Sequence, residues 1–481
     1  MPLDPFNSPV LDRLQSQLEQ TFCAAHGSSE YHLDLTNKPH DRLYFYVPLP
    51  DGVPPIDLAR LEAEIAEISR TWKNNLEDAI LQKFSADDAP RLWHRYGDAF
   101  PGDYQALQSP SDACYDIGNL ESLYGGTALS VFGINTRTEQ SGSTFTLILY
   151  HQEREITLSK ALPVLENLGL EVISERSSRI SPVIAAETFI HRFLVRTKSD
   201  VTVTDELFES KVHEALVRLF VQEVENDSLN SLCITAALSV KEVAILRAYC
   251  HFLWQVSKFA SRESIYSCLA DHPEISVRLY SLFAIRFDPE QFSNDRKERR
   301  RTFKREMRVF KDSLQDVSDI TADRILRSLS LLIEHTVRTN YFHSKNCFAF
   351  KIRSREVTII PQPRPLFEIF VYSPEIQGTH LRTSNIARGG IRWSDRYEDF
   401  RSEILGLAKT QNVKNALIVP SGAKGGFVVQ NLPSTPDEIR ASVESGYKTY
   451  IRALLSITDN RDGDTVTHPG GFVIYDTPDP Y

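Results

Sequence analysis

One block of the sequence constrains the fold more than any other: residues 205–340 carry helical patterns one after another. ELFESKVHEALVRLFVQEV and VKEVAILRAYCHFLWQVSKF each read as a helix, and SIYSCLADHPEISVRLYSLFAIRF as a pair broken at Pro273. DITADRILRSLSLLIEHTVRTNYF makes a further long helix with Ile325, Leu329, Leu332 and Val337 at its apolar positions. On both sides of this block the rhythm changes to short strands. With 481 residues the chain also exceeds one ordinary core, so two to four domains of mixed α/β type are expected. No repeat of fixed period is visible.

Composition narrows the class. Hydrophobic residues at 41% and charged residues at 25% are those of a soluble globular protein. No apolar run reaches the roughly 18 residues of a membrane span, and MPLDPFNSPVLDRL lacks the regions of a secretory signal. Six dispersed cysteines without a CxxC pair argue against a zinc knuckle or a disulfide framework, and they fit a reducing cytoplasm. Cys114, Cys250 and Cys268 sit among apolar neighbours and read as buried, inert thiols. No metal site is expected. A net charge of -10 disfavours nucleic acid as a partner. The basic run DRKERRRTFKREMR (Asp295–Arg308) has interleaved acids, with Phe303, Met307 and Phe310 on one side, and reads as a solvated helix face.

Residues 1–125 form an N-terminal α/β region. It holds VLDRLQSQLEQTF, the β-like RLYFYVPL and a long helical pattern with Leu58, Leu61, Ile65, Ile68, Trp72, Leu76 and Ile80 on one face. A second helix covers RLWHRYGDAF, whose Trp93, His94 and Tyr96 read as packing groups. Residues 126–200 follow the order strand–strand–helix–strand–strand, with Gly169 ending the helix. That order suits an ACT-like α/β sandwich, a kind of module that binds amino acids or mediates oligomer contacts. Residues 201–340 are the helical region, and residues 341–481 return to strands. There CFAFKI and PLFEIFVYSP are β-like, and EVTIIP is confined by Pro361, Pro363 and Pro365 to an edge or a loop. A helix, DEIRASVESGYKTYIRALLSI, a polar loop and a final strand, GGFVIYDTPDPY, close the sequence.

Between them lies ARGGIRWSDRYEDFRSEILGLAKTQNVKNALIVPSGAKGGFVV (Ala387–Val429), with two Gly-Gly pairs read as turns and cations at Arg388, Arg392, Lys409, Lys414 and Lys424. Phosphate is a poor fit. SGAKGG has glycine where a P-loop needs Ser or Thr after its lysine, and no GxGxxG occurs anywhere. A carboxylate ligand fits better. After Ser394, Asp395 and Glu398 resemble a capping box starting a helix packed through Ile404, Leu407 and Ala408. ALIVP reads as a short buried strand leading to the second turn. Strand and helix can then bring Arg388, Gly389, Gly390 and Arg392 close to Lys424, whose amine, crowded by other cations, would have a lowered pKa. The bland alternative is a set of surface cations with incidental glycines.

These same residues carry a family resemblance. NIARGGIRWSDRYEDFRSEILGLAKTQNVKNALIVPSGAKGGFV resembles the substrate domain of glutamate dehydrogenases, and most closely the large bacterial NAD-specific type. The likeness extends through PRPLFEIFVYSPEIQGTHLR, ADRILRSLSLLIEHTVRTNYF, LSKALPVLENLGLEVISE, SRTWKNNL and AFPGDY. It implies oxidation of L-glutamate by NAD to 2-oxoglutarate and ammonium, in a homo-oligomer open to an amino-acid effector. It makes Lys424 the catalytic lysine, activating water and stabilising the carbinolamine. It places Arg388 on a substrate carboxylate and Lys414, or in competition Lys409, as a second substrate lysine. The resemblance also implies that a catalytic aspartate and a Rossmann domain follow a segment like the terminal DPY. The chain is therefore expected to be a truncated product that does not bind NAD alone. The competing expectation is a non-catalytic amino-acid sensor built on residues 127–197.

Overall fold

The computed structural model describes residues 8–34, 42–49, 56–124, 129–134, 144–152, 155–199, 201–344, 346–384, 389–414, 422–463 and 465–479. The chain forms two compact units. One comprises Met1–Ser130, Ile148–Ile156 and Glu175–Arg192, and the other Val131–Leu147, Thr157–Ser174 and Phe193–Tyr481. No helix among the described residues is long and apolar enough to cross a membrane.

In the first unit β1 (Glu30–Asp34) and β2 (Arg42–Tyr46) pair antiparallel. The expected single long helix is instead two, Leu58–Ile68 and Trp72–Lys83. The break is a capping box: Thr71 Oγ1 accepts from Asn74 N at 3.1 Å, and the Asn74 side chain accepts from Thr71 N at 3.2 Å. Leu76 and Ile80 are fully buried. The carboxylate of Asp116 is also buried, and Tyr150 Oη and Arg192 Nη2 donate to it at 2.6 and 2.5 Å.

The stretch from Leu129 to Thr197 has the expected ACT-like order. It runs β3 (Leu129–Ile134), β4 (Thr144–Gln152), helix Leu158–Asn167, β5 (Leu170–Ile180) and β6 (Thr188–Thr197), with strand order β3-β4-β6-β5. The helix ends where Gly169 takes φ +87°, a conformation other residues adopt only under strain.

The helical part of the second unit centres on Val240–Val256, which is buried on nearly every side and capped by a Ser239–Glu242 box. Helices Arg262–Asp271 and Pro273–Phe287 meet at Pro273, as the sequence predicts. In helix Arg296–Ser313, Arg299, Phe303, Met307 and Phe310 turn inward. Arg299 caps the carbonyls of Ile285, Asp288 and Gln291 at 2.5–2.7 Å, and the other cations stay exposed.

A six-stranded sheet follows, built from β7 (Thr336–Thr339), β8 (Phe348–Ile352), β9 (Phe367–Tyr372), β10 (Ile376–Arg382), β11 (Ile391–Trp393) and β12 (Ala423–Val429). Its order is β11-β12-β10-β9-β8-β7, antiparallel throughout except for β11 beside β12. Helix Pro436–Ser456 covers one face, where Tyr450, Ala453 and Leu454 pack on Ala349, Ile369, Val371, Ile376 and Phe427. On the other face the Tyr249 ring stacks on Phe350 at 4.4 Å, and Phe252 meets Phe370 at 5.4 Å.

Several expectations need correction. The helix expected to continue through Val337 stops at His335, and Val337 lies in β7. EVTIIP takes the loop alternative, a 3-10 turn at Ser354–Glu356 whose Val357 and Ile360 are buried plugs. The polar loop after Ile457 contains a small hairpin, β13 (Asn460–Asp462) with β14 (Thr465–Thr467). GGFVIYDTPDPY forms no strand over its described residues 470–479; side-chain bonds hold it.

Candidate active site

The parallel β11–β12 pair builds the corner that the sequence singles out. Helix Phe400–Lys414 crosses over between these strands, so their register places Ile391 against Gly425 and Arg392 against Gly426. Gly425 N donates to Gly390 O at 3.1 Å. The backbone of Gly389 passes so close to Ala423 that a β-carbon would sit 1.4 Å from its carbonyl oxygen. Lys424 Nζ lies 3.7 Å from the point where a β-carbon on Gly390 would be. Gly390 is exposed and Lys424 is half-buried, so the amine meets bare, accessible backbone.

Lys424, Gly425 and Gly426 are interior residues of β12, and not a turn as the sequence suggests. The glycines serve close packing instead. A β-carbon on Gly425 would come 2.8 Å from Tyr450 Oη, and one on Gly426 would come 2.2 Å from Ile404 Cδ1. The helix also starts later than expected, at Phe400. Asp395 and Glu398 therefore do not form its capping box; the Ser394 hydroxyl donates instead to Glu403 Oε2 at 2.7 Å. Ile404 and Ala408 face the sheet as predicted. The helix is fastened by a buried pair, in which Arg401 Nε and Nη2 each reach a Glu368 carboxylate oxygen at 2.7 Å. Thr379 Oγ1 adds a third bond to Glu368 at 2.7 Å.

Of the other candidates, Arg392 Nε sits 3.0 Å from Glu403 Oε1, so its guanidinium is already shared with an acid. Lys409 is exposed on the helix, next to the packed Ala408. Lys414 ends the helix, but its side chain lies outside the described residues, as do Arg388 and the ALIVP segment. Lys424 forms no ion pair among the described residues.

Sequence reasoning missed a second charged group on the same sheet. Arg338, Lys351, His380 and Arg382 project from β7, β8 and β10 and are all buried. Arg338 binds Asp459 through two bonds of 2.7 and 3.1 Å and Asp476 at 2.5 Å. Lys351 Nζ donates to Asp476 and Asp479 at 2.7 and 2.6 Å, and Arg382 Nη1 reaches both Asp479 oxygens at 2.6 Å. Burial alone would raise the Asp479 pKa, but the Arg382 and Lys351 cations hold it below the ordinary carboxylate value. Asp459 is likewise opposed by burial and held at about 2 by its bonds from Arg338, the Asp479 amide and His468. Burial, and then the Arg382 cation, push His380 down to about 3. His380 is therefore a neutral ring, whose Nδ1 accepts from Arg382 Nε at 3.4 Å. These partners lie up to 138 residues apart, which leaves no local signal.

Among the described residues no group of three or more His, Cys, Asp and Glu could hold a metal. Nor do they fit a dinucleotide. The parallel crossover from β11 to β12 enters its helix through Ser394–Asp399, SDRYED, which has no glycine and would set three carboxylates against a pyrophosphate.

Comparison with known proteins places the whole stretch in one context. Residues 309–481 match the bacterial NAD-glutamate dehydrogenase catalytic domain. Glutamate dehydrogenase ACT2 and ACT3 domains match residues 1–73 and 132–207, and helical motifs 2 and 3 match residues 79–123 and 224–289. The NAD-specific glutamate dehydrogenase of Halomonas elongata is 38% identical across 100% of this chain and 30% of its own length. That of Pseudomonas aeruginosa is 36% identical over 89% of this chain and 27% of itself. That of Mycobacterium tuberculosis is 32% identical over 97% of this chain and 30% of itself. The chain thus spans less than a third of the length of these relatives.

Proposed function

We propose that the β11–β12 corner is the dicarboxylate pocket of a glutamate dehydrogenase reaction, because the chain matches bacterial NAD-specific glutamate dehydrogenases over the part of their length that it spans. That reaction takes L-glutamate, NAD and water to 2-oxoglutarate, ammonium and NADH. The observation that supports the assignment best is the amine of Lys424, held against the bare backbone of Gly390 with no acid paired to it among the described residues. An ammonium so placed gives charge-assisted hydrogen bonds to a bound substrate, and once it has released its proton the neutral amine can take one from water at Nζ. In this reading Lys424 activates water and stabilises the carbinolamine. Arg388 clamps a carboxylate, and Lys414, with Lys409 as competitor, meets the other end. Gly389 and Gly390 let the substrate approach the main chain. Arg392, tied to Glu403, orients the corner. No hydride step is assigned to the described residues, since they do not fit a dinucleotide.

A homo-oligomer in the cytoplasm is the proposed setting, and its thiols suit a reducing compartment: all six cysteines are free, with Cys114, Cys233, Cys250 and Cys268 buried. The sensor reading of residues 127–197 is not favoured, because the likeness to dehydrogenases runs from one end of the chain to the other.

Amine labelling with trinitrobenzenesulfonate tests the proposal. Saturating 2-oxoglutarate is expected to protect Lys424 selectively, as read by peptide mass spectrometry. Equal labelling with and without 2-oxoglutarate would sink the assignment.

A further inference from the structure

The crossover from β11 to helix Phe400–Lys414 carries one side chain that the proposed reaction leaves unexplained. Asp395, Arg396 and Glu398 are exposed on it, whereas Tyr397 turns inward. β11 itself has three residues, lies at the edge of the sheet and follows the bare backbone of Gly389 and Gly390. A strand so short makes few ladder bonds, so its place against β12 depends on what holds the loop behind it.

Side chains from outside the crossover hold that loop. Gln377 Nε2 of β10 donates to the Tyr397 hydroxyl at 2.8 Å, and Arg262 Nη1 lies 3.4 Å from the same oxygen. The hydroxyl in turn donates to Gln430 Oε1, just beyond β12, at 3.4 Å. Burial and then Glu225 push the Tyr397 pKa up to about 12, so this proton stays in place. Gln255, near the end of helix Val240–Val256, donates from Nε2 to the carbonyls of Tyr397 and Glu398 at 3.2 and 3.3 Å. The ring of its neighbour Trp254 meets that of Tyr397 at 6.0 Å. Two carbonyls can only accept, so they fix which way the Gln255 amide points. Its Oε1 is thereby left buried with no donor among the described residues, as is Gln377 Oε1. A buried acceptor left unmade is costly. The fold bears that cost twice here, with both amides aiming their nitrogens at one loop.

We propose that Tyr397 is a positioning residue for the Lys424 corner: clamped by Gln255, Gln377 and Arg262, it holds β11 against β12 and so sets the gap between Gly390 and Lys424. The clamp reaches the corner through Ser394, whose amide donates to Phe427 O at 2.9 Å, and through the bonds of Ser394 and Arg392 to Glu403 on the helix. Tyr397 acts through β11, and not on the ligand. Gln255 and Arg262 stand 142 and 135 residues before the loop they hold, so the helical region becomes part of the site's frame. That the gap receives a dicarboxylate rests on the function proposed above; that Tyr397 sets the gap does not.

Trinitrobenzenesulfonate labelling of the ligand-free 481-residue chain, read lysine by lysine by peptide mass spectrometry, tests this. In Tyr397→Phe and in Gln255→Met, Lys424 should label about threefold faster or more, with the buried Lys351 of the same sheet unchanged. Affinity for 2-oxoglutarate, from calorimetric titration, should fall about tenfold in both variants, and circular dichroism confirms their folding. Arg396→Gln, paired with Asp399 on the exposed side of the same loop, should alter neither reading. Unchanged Lys424 labelling in both variants would overturn the proposal. So would a matching rise at Lys351, which marks general loosening of the sheet, or 2-oxoglutarate affinity equal in wild type and both variants. Failure of the wild-type chain to bind 2-oxoglutarate would sink the ligand reading alone, and Lys424 labelling would still decide the role of Tyr397.

Discussion

Two groups of cations share the six-stranded sheet and are treated in opposite ways. Under the helix Pro436–Ser456 face, Arg338, Lys351 and Arg382 are buried and each meets the carboxylates of Asp459, Asp476 or Asp479. At the β11–β12 corner, among the described residues, Lys424 is half-buried beside exposed glycine with no paired acid, and Arg392 pairs with Glu403. Three cations against three carboxylates, fully hydrogen-bonded, make a fastening that pins residues 476–479 to the sheet. An amine without a partner beside open backbone is left for a ligand. Charge density alone does not mark a site; uncompensated charge does.

The largest effect that separates the two groups is on stability. Arg338→Met leaves Asp459 and Asp476 buried without their main partner, and is expected to cost about 3–5 kcal/mol in urea denaturation. Lys424→Ala should stay within about 0.5–1 kcal/mol of wild type. Equal losses in the two variants would erase the distinction. Acid sensitivity comes next. His380 has its folded pKa depressed to about 3 by burial first and then by Arg382 and Lys351, with Asp479 opposing them, so the unfolded chain binds its proton more readily. Stability should therefore fall by about 1.4 kcal/mol per pH unit as pH drops below about 6.5, continuing toward the folded value. Asp459 joins below about 4 and loses its contribution as pH falls through about 2. His380→Gln should flatten the first part of that limb; an unchanged slope would exclude His380 as its source.

Gly389→Ala probes the corner itself. Its β-carbon would collide with the Ala423 carbonyl, a backbone atom that cannot swing aside. Separation of β11 from β12 should cost about 1–3 kcal/mol and weaken 2-oxoglutarate binding, whereas wild-type stability and affinity would mean the strands part freely. The smallest change is expected for Arg392→Ala, below about 1 kcal/mol in stability for a pair so exposed. A collapse of ligand affinity there would make Arg392 a substrate clamp in its own right.

How much of this was legible beforehand depended on whether the deciding partner was local. Pro273, Gly169 and the Leu76–Ile80 face act within a few residues, and the sequence placed them correctly. Val337 fits a helical spacing equally well, and only the pairing of its neighbours Thr336 and Arg338 with β8 places it in a strand, at a bulge. β10, IQGTHLR, looks too polar for a central strand. Three of its polar side chains find partners on other elements: Gln377 meets His251 and Tyr397, Thr379 meets Glu368, and Arg382 meets Asp479. SGAKGG looks like a turn because glycine usually bends a chain, yet here it admits Tyr450 and Ile404 to the two faces of a strand. The nearness of Lys424 to Gly390 was readable from the motif order; the Arg338–Lys351–Arg382 fastening was not.

The central claim is that the unpaired amine of Lys424 holds a dicarboxylate. Calorimetric titration of the chain with 2-oxoglutarate, before and after Lys424→Ala, tests it most directly. Loss of one charge-assisted contact worth about 1.5–3 kcal/mol should weaken binding about 10- to 150-fold, with the unfolding midpoint unchanged. The same affinity in both proteins would contradict the account.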